Sequence, residues 1–284
     1  MFKAIIQHFR DRGEFPERIR KRHETFWKDP NAQKVSNSIM SKEDSLDRWQ
    51  DAPHWQRRLS NKYNARIFAE MNGCQVPELY WKGSDIDAID FDNLPEHYVI
   101  RPTSGHSSNL VFLMAKGTNL FDYRNYSPED IRILLKTAIA EKPTQQFLVE
   151  EFLKNEEGIY TIPNDYKFLC FNGEIASIVV IHRLGPKKGL SYFYDEHWNK
   201  MNKMHYLYPG NGEQQPPKCF NEMLAQAKRL SKAYGIFVRL DFYATPKGPV
   251  FGEFTPTPGL GSNFTPYGKK VLLNYWDKYC NGCI

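Results

Sequence analysis

Apolar positions recur along this chain in two rhythms, one at helical spacing and one alternating, and the two are interleaved rather than segregated. Phe2, Ile5, Ile6 and Phe9 fall on one helical stripe. LSNKYNARIFAEMNG, from Leu59 to Asn72, reads as a helix ended by Gly73. SPEDIRILLKTAIAEK carries a Ser cap, Pro in the first turn and early acids ahead of helical apolar spacing. Pro217 to Tyr234 is amphipathic and stops at Gly235, and YGKKVLLNYWDKY closes the chain as a helix. The strand-like segments are Val76 to Trp81, HYVIR, LVFLMA and FLVEEFL, then two in DYKFLCFNGEIASIVVIHRL joined at Asn172-Gly173. A last hairpin, Val238 to Thr245 and Pro249 to Thr255, closes on Pro246-Lys247-Gly248. Helices mixed with several hairpins imply an α+β architecture with antiparallel sheet, not a doubly wound parallel one.

That last hairpin carries chemistry on one side. With a three-residue loop, Thr245 faces Pro249, Tyr243 faces Phe251, Asp241 faces Glu253 and Arg239 faces Thr255. Leu240, Phe242 and Ala244, opposite Phe254, Gly252 and Val250, form the other side and read as core. Two carboxylates about 5 Å apart repel by roughly 3 kcal/mol at an effective dielectric of 20, so positive charge is expected between them. Two readings stand. A divalent cation could bind Asp241 and Glu253, with Thr255 adding an oxygen, or Arg239 could neutralise the pair with a Lys from elsewhere. Mg²⁺ keeps several waters and is completed by substrate phosphates, so the first reading asks for a nucleotide.

Composition narrows the class. Hydrophobic residues are 41% and charged residues 25%, as in ordinary soluble domains. Aromatic residues reach 14%, which predicts ring-lined surfaces, and a net charge of +5 suits an anionic small-molecule ligand as well as a polyanion. No apolar run approaches the roughly 20 residues of a membrane span. The N-terminal apolar patch is too short for a signal peptide, and the cysteines are scattered, so a reduced, cytoplasmic setting is expected. The terminal CNGC has no second pair and reads as tail thiols. Dispersed basic residues without a recognition motif argue against a nucleic-acid partner. Residues 1–58 interleave aromatic and basic residues; their RIRKRH cluster suits a solvated helix face, an anionic membrane surface, a polyanionic substrate or a partner protein.

Three further stretches offer groups to a nucleotide, each with a plainer alternative. YVIRPTSGHSSNLVFLM is strand, hydroxyl-rich loop, strand, without the Walker pattern. Ser104, Ser107, Ser108 and the loop amides could fold over phosphates with Arg101 reaching the same charge, or the loop is an ordinary polar hairpin. FLVEEFL ends in Glu150-Glu151, either a strand edge offering backbone groups to a purine or charges leaving for solvent. Asp165 and Lys167 share one face of DYKFLCF, suited to ribose and phosphate, or to a weak surface ion pair.

In this order, LSNKYNARIFAEMNGCQVPELYW, LPEHYVIRPTSGHSSN, FLVEEFL, DYKFLCFNGE and EMLAQAKRLSKAYGIFVRLDFY…VFGEFTPTPGLGS resemble the ATP-grasp superfamily, most nearly its TupA-like branch, named for teichuronopeptide biosynthesis. The resemblance spans about residues 59–270, and PTSGHSSNLV also resembles the phosphate-covering loop of D-alanine–D-alanine ligases. It implies an ATP-grasp fold in which two α+β subdomains clamp ATP, with Mg²⁺ on the final hairpin. The divisions are a helical N-terminal extension over 1–58, a lead-in helix and strand over 59–95, a first subdomain with the phosphate loop over 96–153, and a second with the metal hairpin over 154–284. No stretch reads as a full separate N-terminal α/β domain.

The same resemblance implies residue roles. Asp241, Glu253 and Thr255 would hold the metal, Thr255 standing where many relatives carry Asn. Arg239, Lys167 and Arg183 would serve the transferring phosphoryl group. Lys62 and Arg66 fall near a phosphate-contacting basic position, and Arg101 replaces the more usual Lys. Glu150, Glu151, Phe152 and Leu153 would surround adenine, and Asp165 would hold the ribose. The implied activity is an ATP-dependent, ADP-forming carboxylate–amine ligase that works through an acyl phosphate on small-molecule, glycan or peptide substrates. Cell-envelope or capsular polysaccharide or peptide synthesis is the implied setting, with peripheral association with membrane-bound polysaccharide machinery. A kinase acting on a sugar or small molecule, and a non-catalytic nucleotide-binding partner, are the alternatives.

Overall fold

The protein, here a computed structural model, is described over residues 11–105, 110–185, 188–210 and 212–283. Its described α-helices are α1 (Glu14–His23), α2 (Pro30–Asn37), α3 (Leu46–Trp49), α4 (Lys62–Met71), α5 (Pro128–Glu141), α6 (Phe220–Tyr234) and α7 (Pro266–Tyr279). The helix expected from Leu59 begins at Lys62 because Asn61 takes the cap, its side chain accepting from the Tyr63 N–H. Ser127 and Asp130 close a capping box on α5. The strands are β1 (Leu79–Gly83), β2 (His97–Pro102), β3 (Phe112–Ala115), β4 (Thr118–Asn119), β5 (Arg124–Asn125), β6 (Phe147–Glu151), β7 (Asp165–Phe171), β8 (Glu174–Gly185), β9 (Lys188–Tyr194), β10 (Phe237–Thr245) and β11 (Gly248–Thr255). β9 has no counterpart in the sequence reading. The strand expected at Val76 to Trp81 starts only at Leu79, and Gln75 bridges to Val250 instead.

Two antiparallel sheets result, which is the α+β class expected. The first runs β1-β6-β2-β3-β4-β5. Ile100, Phe112, Met114, Phe147 and Val149 turn one face of it onto Ile131 and Leu135 of α5. β6 therefore lies inside the sheet, hydrogen-bonded to β1 on one side and β2 on the other. This corrects the expectation of a strand edge at FLVEEFL; only residues after Glu151 leave the ladder.

The second sheet runs β11-β10-β7-β8-β9. β7 and β8 join at Asn172-Gly173, both residues with positive φ, the geometry of a tight hairpin turn. One face carries Phe168, Ile178, Val180, Leu240, Phe242 and Phe254 into a core shared with α4 and α6. The other carries Leu169, Phe171, Val179, Ile181, Phe193 and Phe237, packed with Phe15 and Ile19 of α1 and Leu272 and Trp276 of α7. The RIRKRH cluster is thus divided. Arg20 and Lys21 face solvent, whereas Ile19 and Arg22 are fully buried. Arg22 donates to the Phe237 carbonyl at 2.6 Å and lies 4.6 Å over the Trp276 ring. The stripe at Phe2, Ile5, Ile6 and Phe9 lies outside the described residues. No described helix is long and apolar enough to cross a membrane.

The final hairpin differs from its expected register near the turn. Thr245 pairs with Gly248 across a two-residue turn, so Tyr243 meets Val250 and Phe242 meets Phe251. A bulge between Asp241 and Phe242, where Gly252 is the extra residue, returns the count. From there on Asp241 faces Glu253, Leu240 faces Phe254 and Arg239 faces Thr255. Glycine is needed at the bulge, because a Cβ on Gly252 would lie 2.9 Å from the Tyr243 ring and 3.2 Å from the Asp241 carbonyl.

Candidate active site

Strand alternation assembles a charged ladder across four strands. On the face of the second sheet that carries Leu169, Phe171 and Phe237, the next outward positions are Lys167 and Asp165 on β7 and Arg239 and Asp241 on β10. Arg183 of β8 and Glu253 and Thr255 of β11 extend the row at either side. Arg239 holds Asp241 through Nε at 2.6 Å and Nη2 at 2.8 Å, and Nη2 also reaches Glu253 at 3.3 Å and the Thr255 hydroxyl at 2.9 Å. Lys167 Nζ meets Asp241 at 2.5 Å and Asp165 at 3.6 Å, and Arg183 Nε meets Asp165 at 2.7 Å. The positive charge demanded by the facing acids is therefore Arg239 with Lys167. Asp165 and Lys167 are 4% and 8% exposed, so they form no surface ion pair.

The charges set one another's protonation. Burial works to raise the Asp241 carboxyl, but Arg239 and Lys167 outweigh it and hold its pKa below the usual carboxylate range. Burial likewise opposes the Arg239 cation, and Asp241 and Glu253 more than compensate, so its pKa is raised. Each partner thereby keeps the other ionised at neutral pH.

The first sheet presents a second charged cluster. Glu150, 1% exposed, accepts from Arg66 Nη1 at 2.7 Å and Arg101 Nε at 2.5 Å. This places Glu150 as the clamp for two guanidiniums rather than as a side chain free to meet a purine. Arg101 reaches across to the Gly252 carbonyl of β11 at 3.4 Å, and Lys62 Nζ lies 3.9 Å from Glu253 and 3.3 Å from the Gly105 carbonyl. Burial lowers the Lys62 pKa, partly offset by Glu253. These contacts bring the two clusters face to face.

Ser104 accepts from Lys142 and donates to Gln145, turned to the link between α5 and β6. Ser107 and Ser108 lie outside the described residues. Glu151 pairs with Lys247 at 2.8 Å, and its N–H donates to the Glu78 carbonyl. Phe152 is buried against the rings of His97 and Tyr160, with Leu153 following it out of the strand. Cys280 is buried and Cys283 exposed, both as free thiols.

Among the described residues no three His, Cys, Asp or Glu side chains gather into a cage. Two carboxylates on facing strands suit Mg²⁺, which takes one or two carboxylates plus waters and phosphates, better than a cation needing a full protein shell. Glu253 Oε1 is held by Arg239 and Thr255, while Oε2, among the described residues, lies 3.9 Å from Lys62. Glu253 is thus the readier ligand, and Asp241 would join it on release by Lys167 or Arg239. The cations Lys62, Arg101, Lys167, Arg183 and Arg239 suit a polyphosphate.

Two groups escaped the sequence reading as site residues. Tyr243 shares the ladder face; burial and then Asp165 and Asp241 push its phenol pKa up, so it stays a donor. His205 lies on the segment after β9, bridged to Phe264, and its ring meets Phe193, which stands in one cross-strand row with Val179 and Lys167 of the ladder face. Pairing between residues that far apart leaves no local trace in sequence.

A family model described as TupA-like ATPgrasp matches residues 45–273. No curated protein gives a significant match. The D-alanine–D-alanine ligase of Bacillus anthracis superposes with a TM-score of 0.51 at 16% identity, over 78% of this chain and 67% of that one. The same ligase complexed with ATP gives 0.50 at 14% identity, over 78% and 65%. A RimK domain ATP-grasp protein from Sphaerobacter thermophilus gives 0.46 at 14% identity, over 76% and 66%. The chain spans just under two thirds of the ATP-complexed ligase's length. At this identity the two Bacillus structures speak for the fold. With the family model covering well over half of its residues, the chain belongs to the TupA-like ATP-grasp family.

Proposed function

We propose that the protein is an ATP-dependent carboxylate–amine ligase, forming an amide through an acyl phosphate with release of ADP. The observation that carries this reading is the ladder from Arg183 to Thr255, joined to the Glu150 clamp through the contacts of Arg101 and Lys62 with β11. Phosphoryl transfer asks the protein mainly for positioning and neutralisation of charge, and the ladder supplies both. Arg239, Lys167 and Arg183 stabilise the transferring phosphoryl group. Lys62 and Arg101 bind the other phosphates, Arg101 oriented by Glu150 and Arg66. The backbone after Glu151, with Phe152 and Leu153, receives adenine, and Asp165 orients Arg183 and Lys167. Asp241 and Glu253, with Thr255 beside them, would hold Mg²⁺, which when bound neutralises phosphate charge. The substrates proposed are small-molecule, glycan or peptide acids and amines of cell-envelope polymer synthesis, in the cytoplasm.

Incubation with Mg-ATP, hydroxylamine and a panel of such acids should yield a hydroxamate and ADP. Release of AMP, or a stable phosphorylated product with no hydroxamate, overturns the ligase reading.

A further inference from the structure

His205 is held more firmly than a loop histidine needs to be. Its neighbours are tied by backbone hydrogen bonds, Thr265 N–H to the Met204 carbonyl at 2.9 Å and Tyr206 N–H to the Asn263 carbonyl at 2.8 Å. The Thr265 hydroxyl adds a bond to the Lys203 carbonyl at 2.6 Å. The ring stands edge-on to Phe193, 5.1 Å between centroids, and to Phe264 at 6.2 Å. Its Nδ1 accepts from the Leu207 N–H at 3.3 Å. A neutral imidazole whose Nδ1 accepts must carry its proton on Nε2. Burial, then the cations Arg239 of β10, Lys203 of its own segment and Lys167 of β7, push its pKa down to about 4, so the ring is neutral at pH 7.

From this geometry we infer that His205 presents a fixed, uncharged Nε2–H donor to an oxyanion seated beside Arg239 and Lys167. The inference deepens the ligase proposal and rests on it for the ligand, whose oxyanion is either the phosphoryl group or the carboxylate of the acid. A neutral donor already in place stabilises charge without reorganising, as in other sites that use an un-ionised imidazole as electrophile. The tautomer also denies His205 the role of general base through Nε2.

The test uses the full chain labelled with ¹⁵N-histidine, with the His205 signals assigned by their loss in His205→Gln. Long-range ¹H–¹⁵N spectra should show Nε2 protonated and Nδ1 bare, unchanged between pH 8 and pH 5.5. An imidazolium at pH 7 or a proton on Nδ1 overturns the inference, whatever the enzyme's reaction. Inorganic phosphate and acetate are then titrated separately, with and without Mg-ADP. Movement of the Nε2–H signal by phosphate alone assigns the phosphoryl source, by acetate alone the acid source, and by neither overturns the inference. His205→Phe, which keeps the ring packing, should weaken the effective ion roughly tenfold or more, whereas His205→Gln, which keeps an N–H, should lose less. Failure of Mg-ADP to perturb any signal counts against the ATP reading alone, since both ions are still titrated on the free protein.

Discussion

Replacing Asp241 by Asn separates the sequence argument from the structural one. In the sequence the substitution relieves a roughly 3 kcal/mol repulsion from Glu253 and should stabilise the fold. In the structure Lys167 and Arg239 contact Asp241 at 2.5 to 2.8 Å. On the same Coulomb scale each contact attracts by about 6 kcal/mol, so attraction wins before desolvation is counted. Removing one partner from a buried ion pair costs about 3–5 kcal/mol by mutational precedent, and relief of the roughly 3 kcal/mol repulsion offsets much of it, leaving up to about 2 kcal/mol of destabilisation. Urea unfolding at pH 7, followed by tryptophan fluorescence, measures it. The difference also has a pH signature. The folded pKa of Asp241 is lowered, so its contribution is complete above the unfolded value and is lost as pH falls through the folded one. The gap between parent and variant should therefore persist from pH 8 to pH 5 and close below about pH 4. A variant more stable than the parent at pH 7 would refute the ladder as the force holding these strands' charges.

Glu150→Gln should destabilise by about 3 kcal/mol, because Arg66 and Arg101 both lose a charged partner in a buried setting; chemical denaturation reads it, and a change under 1 kcal/mol contradicts the clamp. Gly252→Ala should cost about 1–3 kcal/mol through collision with Tyr243 and the Asp241 carbonyl, seen as a lowered Tm. Ser127→Ala removes the α5 capping box and should cost about 1 kcal/mol, with Ser127→Asp restoring most of it in the same unfolding assay.

Much of the fold was legible because its signals are local. The capping residues of α5, the stop of α6 at Gly235 and the turn at Asn172-Gly173 are each decided within a few residues. The Asp241–Glu253 pairing was found through two compensating errors, a turn one residue shorter than expected and a bulge that restored the count. A Gly inside a strand was the available sign of that bulge. What stayed hidden is non-local. That Lys167 answers Asp241 depends on β7 lying against β10, and that Glu150 binds Arg66 depends on α4 reaching over to β6, separations of 74 and 84 residues. Alternation shows which side of a strand a charge takes but not which strand comes next to it.

The burial of α1 bears on what counts as a module here. Phe15 and Ile19 before residue 45, and Trp276 and Cys280 after residue 273, close the apolar face whose outer end becomes the charged ladder. A fragment cut to the recurring family segment would leave Phe171 and Phe237 wet and unlock the strands that aim Lys167 and Arg239. The flanks are thus the keystones beneath the charged ladder, and grafting the segment elsewhere requires substitutes for them.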